Sequence, residues 1–252
     1  MSLRRGDPHR RRPVHPGPIH GWPDAGYDAA LQLLDRQIVD VDGMAVGKVD
    51  DVELVEDADG VLVPTGLMVG MAALLPRLGD HSGPWLYRHW VRLAPAHAER
   101  RRPGVIDMGL VEDVTSEVHL SVERDGIVHR RLDVPEEHPV RRTLGQLLSM
   151  EVDMSAAGTS RPGSRRVLDV RLRVAPGGRG AQVAALIVGY GRPGSWLGYE
   201  RSRERGPWAV AAVVRWWHRH SRLVALGPDV ELDWPARWVR VGSDADVRRL
   251  DA

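Results

Sequence analysis

The same pattern of residues occurs twice along this chain of 252 residues. Several segments of the first half recur in the same order in the second half. The matched pairs are LLDRQIVD (33–40) with LLSMEVD (147–153), DVEL (51–54) with DVRL (169–172), GLMVG (66–70) with ALIVG (185–189), Asp107-Met108 with Asp233-Trp234, and Val118-x-Leu120 with Val247-x-x-Leu250. A repeat longer than one hundred residues predicts a tandem pair of domains rather than a solenoid.

The stretch 38–55, IVDVDGMAVGKVDDVELV, predicts a β-hairpin at the start of the first copy. Asp-Gly at 42–43 suits a two-residue turn, in which both turn positions take φ > 0. The apolar alternation slips by one residue at Asp50-Asp51, and a β-bulge at this step would keep later side chains on the correct face while bending the strand. We expect a structural role for the hairpin residues Asp42, Gly43, Gly47 and Asp51.

The rest of the chain reads as many short strands separated by turn signals, which is typical of an all-β barrel or sandwich. Asp28 is positioned to cap a short helix over Ala29–Leu34. An apolar strand follows at Val61–Val69. Residues 71–89 are rich in glycine and proline and predict irregular structure, and Trp90–Leu93 predicts a short strand.

Charge is distributed unevenly, although the net charge is only +1. Residues 1–26 carry five arginines, two aspartates and several prolines, which predicts a disordered basic tail. Residues 27–140 carry 11 basic and 21 acidic side chains, whereas residues 141–252 carry 19 basic and 11 acidic ones. The chain has no cysteine and no apolar run of about 18–20 residues, so a bacterial-type cytoplasmic protein without a membrane span is expected.

Several motifs together resemble the PRC-barrel domain family. They are Leu33–Val39, Val41–Leu54, Leu67–Gly70, and the closing residues Val111, Val114, Val118 and Leu120. The resemblance implies small, strongly bent β-barrels, which act in this family as assembly and adaptor modules without a catalytic centre. The family includes the photosynthetic reaction-centre H subunit and a ribosome maturation factor. In the second copy, SAAGTSRPGSRR (155–166) replaces the Asp-Gly turn.

The predicted organisation is therefore all-β, with two tandem PRC-like barrels. Its parts are a disordered tail (1–26), a first barrel domain (27–122), a hairpin and linker (123–140), and a second, divergent barrel domain (141–252).

The most conspicuous polar and aromatic cluster lies late in the second copy. It consists of Trp216, Trp217, His218, Arg219, His220 and Arg222. Tryptophan and arginine are enriched at the centres of protein interfaces, so this cluster is a candidate interaction surface. Stacking and positive charge would also suit single-stranded RNA. No third ligand accompanies the two histidines, so no metal site is predicted.

No motif in the sequence predicts an enzyme. Residues 189–194 fit G-x-G-x-x-G formally, but the sequence that follows lacks the helix required by a dinucleotide site, so no cofactor is expected. The expected function is a non-enzymatic adaptor or scaffold that binds protein partners. An exposed strand edge would also allow homo-oligomers, and the sequence leaves this open. The alternative is an RNA- or ribosome-associated factor that uses the basic second half.

Overall fold

The computed structural model describes residues 26–57, 59–77, 82–93, 102–130, 140–158, 165–174, 180–190 and 221–250. Within these ranges the chain forms sixteen strands, four α-helices and one 3₁₀ turn. The β-rich class predicted from the sequence is confirmed. No helix in these ranges is both long and apolar enough to cross a membrane.

The two repeats share the order of their first elements, a short strand, a helix and a second strand, and each then contains a long hairpin. The first repeat contains β1 (Tyr27–Asp28), α1 (Ala29–Gln32), β2 (Gln37–Val39), β3 (Ala45–Lys48), β4 (Asp51–Glu56), β5 (Leu62–Val69), α2 (Met71–Arg77), α3 (Ser82–Leu93), β6 (Gly104–Asp107), the 3₁₀ turn Met108–Leu110, β7 (Val111–Val114) and β8 (Val118–Leu120). The second contains β9 (Arg141–Thr143), α4 (Leu144–Leu148), β10 (Glu151–Asp153), β11 (Arg165–Val174), β12 (Ala181–Tyr190), β13 (Arg222–Ala225), β14 (Val230–Asp233), β15 (Trp238–Val241) and β16 (Val247–Arg249).

The strands form three sheets. One sheet has the order β14-β15-β10-β11-β12-β13-β16, with β1 added to β11. The other two have the orders β3-β2-β8-β7 and β6-β5-β4-β9. None of the three closes on itself within the described ranges, so the strands form open sheets where the sequence predicted closed barrels. The break between β3 and β4 places these two strands in separate sheets, which divides the strands of the first repeat.

Each repeat uses the same strand pairings. The strand after the first helix pairs in parallel with a later strand, as β2 does with β8 and β10 with β15. A long antiparallel hairpin, β4–β5 or β11–β12, then carries the next strand on its outer edge, β6 or β13. The two halves of the described chain therefore share these strand pairings.

Two of the proposed sequence matches are wrong in register. The pairings align β7 with β14 and β8 with β15. The sequence had instead matched Asp107-Met108 with Asp233-Trp234, and Val118-x-Leu120 with Val247-x-x-Leu250. Short apolar strands match one another at several registers, so sequence alone does not fix their alignment.

The leading strand of each repeat joins the hairpin of the other repeat. β1 pairs antiparallel with β11, and β9 pairs antiparallel with β4. The two hairpins also pack on each other through β5 and β12. One apolar cluster accordingly spans both repeats, with Leu33, Ile38 and Leu67 from the first and Leu147 and Leu186 from the second.

The predicted Asp-Gly turn is present, but its geometry differs from the prediction. Gly43 has φ 75°, whereas Asp42 does not have positive φ. The Asp40 N–H donates to the Met44 carbonyl at 2.9 Å, which closes a three-residue loop, 41–43. The Asp40 carboxylate also accepts from the N–H groups of Asp42 and Met44. This Asx turn favours a type I turn followed by one left-handed glycine, so only Gly43 needs φ > 0.

The irregularity predicted at Asp50-Asp51 is present as a break between two strands. β3 pairs with β2 and ends at Lys48, whereas β4 begins at Asp51 and pairs with β5. Val49, between them, is fully buried. In the second repeat the strand continues as β11, with a register shift between Val167 and Asp169. Both repeats therefore change direction at the same place.

Residues 71–77 and 82–93 are helical, so the predictions of irregular structure over 71–89 and of a strand at Trp90–Leu93 are wrong for the residues that the structure describes there. Pro76 lies near the end of α2, where its missing N–H removes only one helical hydrogen bond. Gly83 lies in the first turn of α3, where the helix passes close to α2. Pro76 therefore marks the end of a helix, and Gly83 marks a contact between two helices, rather than a loop.

Candidate interaction surface

Helix α3 follows α2 in the connection between β5 and β6. A Cβ at Gly83 would lie 2.6 Å from the Leu75 carbonyl oxygen and 2.7 Å from the Pro76 carbonyl oxygen. Glycine at this position therefore allows the start of α3 to pack directly on the backbone of α2. The contact between these two helices holds α3 on the body of the protein.

One side of α3 carries four polar or aromatic residues at helical spacing. Trp85, Arg88, His89 and Arg92 are related by steps of three and four residues, so they share one face. The Trp85 residue is 51% exposed, Arg88 and Arg92 are exposed, and His89 is half-buried. We call these four residues the aromatic–basic face.

The two rings of this face are stacked. The Trp85 and His89 ring centroids are 4.0 Å apart, with an interplanar angle of 37°. His89 Nδ1 lies 2.9 Å from the Trp85 carbonyl oxygen. A carbonyl oxygen only accepts hydrogen bonds, so Nδ1 carries the proton and donates. The contact holds the imidazole against the indole.

The opposite side of α3 is apolar and only half-buried. Leu86, Tyr87, Trp90 and Val91 all have intermediate exposure, and the Tyr87 and Trp90 ring centroids are 6.2 Å apart. Gly83 is the one fully buried residue among those of α3 whose side chains are described. Helix α3 is therefore a projecting element that the rest of the protein covers only in part.

The base of α2 is fixed to the first repeat through Arg77. Its Nη2 donates to both carboxylate oxygens of Asp35, at 3.1 and 3.2 Å, and its Nη1 donates to the Asp50 carbonyl. At the other end of α2, the Gly70 N–H donates to Asp50 Oδ2 at 2.5 Å. Burial raises the pKa of Asp50, while the Gly70 hydrogen bond and the nearby Arg77 act against this rise. These contacts anchor the helical pair on the β3–β4 break.

Asp51, one of the predicted hairpin residues, caps a helix of the other repeat. Its Oδ1 accepts from the Val52 N–H at 2.8 Å and from the Gly145 N–H, in the first turn of α4, at 2.9 Å. Thr143 adds a capping box with Gln146. The Asp51 carboxyl is buried, and this desolvation raises its pKa despite the hydrogen bonds. Asp51 is thus a structural residue at the junction of the repeats.

The equivalent residue Asp169 caps helix α1. Asp169 Oδ1 accepts from the Ala30 N–H at 2.6 Å, and Oδ2 accepts from the Leu31 N–H at 3.1 Å. Asp28, which the sequence predicted as the cap, makes no side-chain cap hydrogen bond. The predicted helix also ends early, at Gln32 rather than Leu34. The cap comes from a residue 139 positions away, which local sequence rules do not anticipate.

Of the six predicted surface residues, the structure describes only Arg222. Trp216, Trp217, His218, Arg219 and His220 lie outside the described residues. Arg222 lies on β13, where it pairs with Val188 and Arg249 and is half-buried. Gly43 forms the hairpin loop, and Gly47 lies on β3 close to Val69.

The aromatic–basic face of α3 was missed because residues 71–89 were interpreted as irregular. The spacing of positions 85, 88, 89 and 92 is itself a helical signal and could have identified the face. Within the described residues, no group of three or more His, Asp or Glu side chains is arranged to hold a metal.

The comparisons with known proteins assign no relative. The sequence matches no protein-family model, and no curated protein shows significant similarity to it.

Proposed function

We propose that this protein is a non-enzymatic adaptor of two PRC-like repeats and that it binds a protein partner through the aromatic–basic face of α3. The observation that carries the proposal is the half-exposed Trp85 stacked on His89 and flanked by Arg88 and Arg92. Tryptophan and arginine dominate the energetics of protein interfaces. An exposed tryptophan beside arginines suits a partner protein whose surface presents carboxylates beside an apolar pocket.

Two further features support a binding role for this helix. The stack of Trp85 on His89 reduces the rotamer freedom that the two rings would lose on binding. The helical pair is also anchored at Arg77, so α3 projects from a fixed base. A preorganised aromatic and basic surface is what an adaptor offers to a partner.

The test compares two tryptophans in the full chain. Partners are captured from the native host with wild type, with Trp85→Ala/Arg88→Ala, and with Trp238→Ala as control. Trp238 is 39% exposed on β15, away from α3 in the sequence and in the sheet order. We expect a partner that binds wild type and Trp238→Ala with equal affinity and binds the α3 variant at least 10-fold more weakly. Equal capture of partners by all three proteins would exclude the aromatic–basic face as the binding site.

RNA binding is the competing proposal, supported by the 19 basic and 11 acidic side chains of residues 141–252. Part of this positive charge is neutralised locally, since Arg240 pairs with Glu231 and Asp233, and Arg248 pairs with Asp246. Counterion release predicts affinity that falls steeply with salt. Binding of single-stranded RNA to the full chain at 50 and 200 mM salt decides between the two proposals, because a protein that binds no RNA at low salt leaves only the protein-partner role.

A further inference from the structure

The two repeats meet at two junctions, where the leading strand of one repeat pairs with the hairpin of the other. Each junction carries an ion pair, and the acid and the base change places between the two junctions. At the first junction, Glu53 on β4 is the acid, and Arg141 on the incoming β9 is the base, with Nη1 and Oε1 2.8 Å apart. At the second junction, Arg171 on β11 is the base, and Asp28 on the incoming β1 is the acid, with Nε and Oδ1 2.8 Å apart. The charge carried by the hairpin and the charge carried by the leading strand are thus exchanged between the two junctions.

Glu53 and Arg171 occupy equivalent positions, each two residues after a buried capping aspartate, Asp51 or Asp169. Asp28 lies directly opposite Arg171 in the ladder. Arg141 lies opposite Val55 and reaches Glu53 on the diagonal, a separation that long side chains span. Both pairs therefore lie where a leading strand joins a hairpin.

These pairs are sufficiently desolvated to influence which strands associate. The Glu53 side chain is only 7% exposed, and those of Asp28 and Arg171 are 16% and 21% exposed. A partly buried charge without its opposite is strongly unfavourable, and two like charges in the same place are worse. The ion pairs consequently select their partners more strongly than exposed pairs would.

The backbone alone does not distinguish the two leading strands. β1 and β9 both pair antiparallel with a hairpin strand, and both are followed by a helix whose first turn is bound by a buried aspartate. If β1 paired with β4 instead, Asp28 would face Glu53. If β9 paired with β11 in the same register, Arg141 would lie on the diagonal from Arg171. Either error places like charges together.

We infer that the charges of Asp28, Glu53, Arg141 and Arg171 make each leading strand pair with the hairpin of the other repeat. The same charges disfavour pairing of a leading strand with the hairpin of its own repeat, whether in the same chain or in a second copy. Specificity here comes from repulsion in the wrong arrangement as much as from attraction in the correct one.

The test uses two double variants of the full chain with the same net charge. Asp28→Arg/Arg171→Glu reverses one junction and keeps it complementary. Asp28→Arg/Arg141→Glu places like charges at both native junctions. In two copies of this variant, opposite charges would meet where β1 of one copy pairs with β4 of the other, and where β9 of one copy pairs with β11 of the other. A second matched pair, Glu53→Arg/Arg141→Glu and Glu53→Arg/Arg171→Glu, applies the same comparison from the other junction. Thermal unfolding gives the stability, and light scattering gives the molar mass.

We expect Asp28→Arg/Arg171→Glu to have the same molar mass as wild type and a Tm close to that of wild type. Asp28→Arg/Arg141→Glu should unfold at least about 5 °C lower, or form dimers whose fraction rises with concentration. The second matched pair should show the same contrast. Equal Tm values and equal masses within each pair, or failure of both members of each pair to fold, would overturn the assignment.

Discussion

Asp51 and Asp169 occupy equivalent positions in the two repeats, and each carboxylate accepts hydrogen bonds from the first turn of a helix that belongs to the other repeat. Each also accepts from the N–H of the residue that follows it. A buried carboxylate is normally costly, but here it satisfies donors that would otherwise be buried without partners. The junction is therefore a reciprocal pair of helix caps, together with the exchanged strands.

Replacing Asp169 by asparagine should destabilise the protein by about 2 kcal/mol, because one of its two acceptor oxygens becomes an NH₂ group facing the N–H donors of α1. Urea unfolding followed by circular dichroism measures the effect. The control is Asp153→Asn, since the exposed Asp153 accepts from the N–H and the side chain of the nearby Ser155, and asparagine can form the same turn. The control should stay within about 0.5 kcal/mol of wild type. Equal stability of both variants would contradict the cap.

The pH dependence of stability should report on Asp50. Its pKa is raised in the folded protein, chiefly by burial, with Arg77, Asp35 and Lys48 nearby. The folded protein therefore binds the Asp50 proton more tightly than the unfolded chain does. The contribution of this proton to the free energy of unfolding is complete below the pKa of Asp50 in the unfolded chain, and it is lost as pH rises through the pKa of Asp50 in the folded protein.

Urea unfolding of wild type and Asp50→Asn between pH 3 and pH 7 tests this sign. The free energy of unfolding of wild type, relative to that of Asp50→Asn, should fall as pH rises. A relative stability that increases with pH would show that Arg77 and the Gly70 hydrogen bond outweigh burial.

Gly83→Ala should displace α3 from α2. The new methyl group would meet two backbone carbonyl oxygens, which move only if a helix moves. We expect a loss of about 1–3 kcal/mol and a shift in tryptophan fluorescence, since α3 carries two tryptophans. Gly227→Ala is the matched control, because nothing lies within 4 Å of its Cβ position. Tryptophan emission from Gly83→Ala that matches that of the control would show that α3 does not pack closely on α2 at Gly83.

Gly145→Ala should destabilise the protein although alanine is the better helix former by about 1 kcal/mol. The Cβ would lie 2.7 Å from Asp51 Oδ2 and 3.0 Å from Arg77 Cγ, so it would disturb both the cap and the Arg77 anchor. Thermal unfolding should show a lower Tm. A Tm above that of wild type would mean that helix propensity outweighs the contact.

The sequence predicted those features that depend on local chemistry. The β-rich class and the irregularity at Asp50-Asp51 followed from apolar alternation. Gly43 was identified because an Asp-Gly pair needs left-handed backbone.

Features that depend on distant residues were not predicted. Asp28 looked like the cap of α1, but the cap is Asp169, because the exchange of leading strands brings β11 to that helix. The α2–α3 pair was missed because Pro76 and Gly83 usually interrupt helices, whereas here they lie at a helix end and at a helix contact. In both cases tertiary packing outweighed a valid local preference.

The exchange of leading strands also determines when the protein can fold during synthesis. β4 lacks one of its neighbours until residues 141–143 have been made, and β1 has no partner in the sheet until β11 exists. The earliest part of the described chain therefore has to wait for the latter half before its strand is paired. Contacts so distant in sequence slow folding. A chain that ends between the repeats has an open edge on β4 and an unpaired β1, and this form is the most exposed to aggregation and proteolysis.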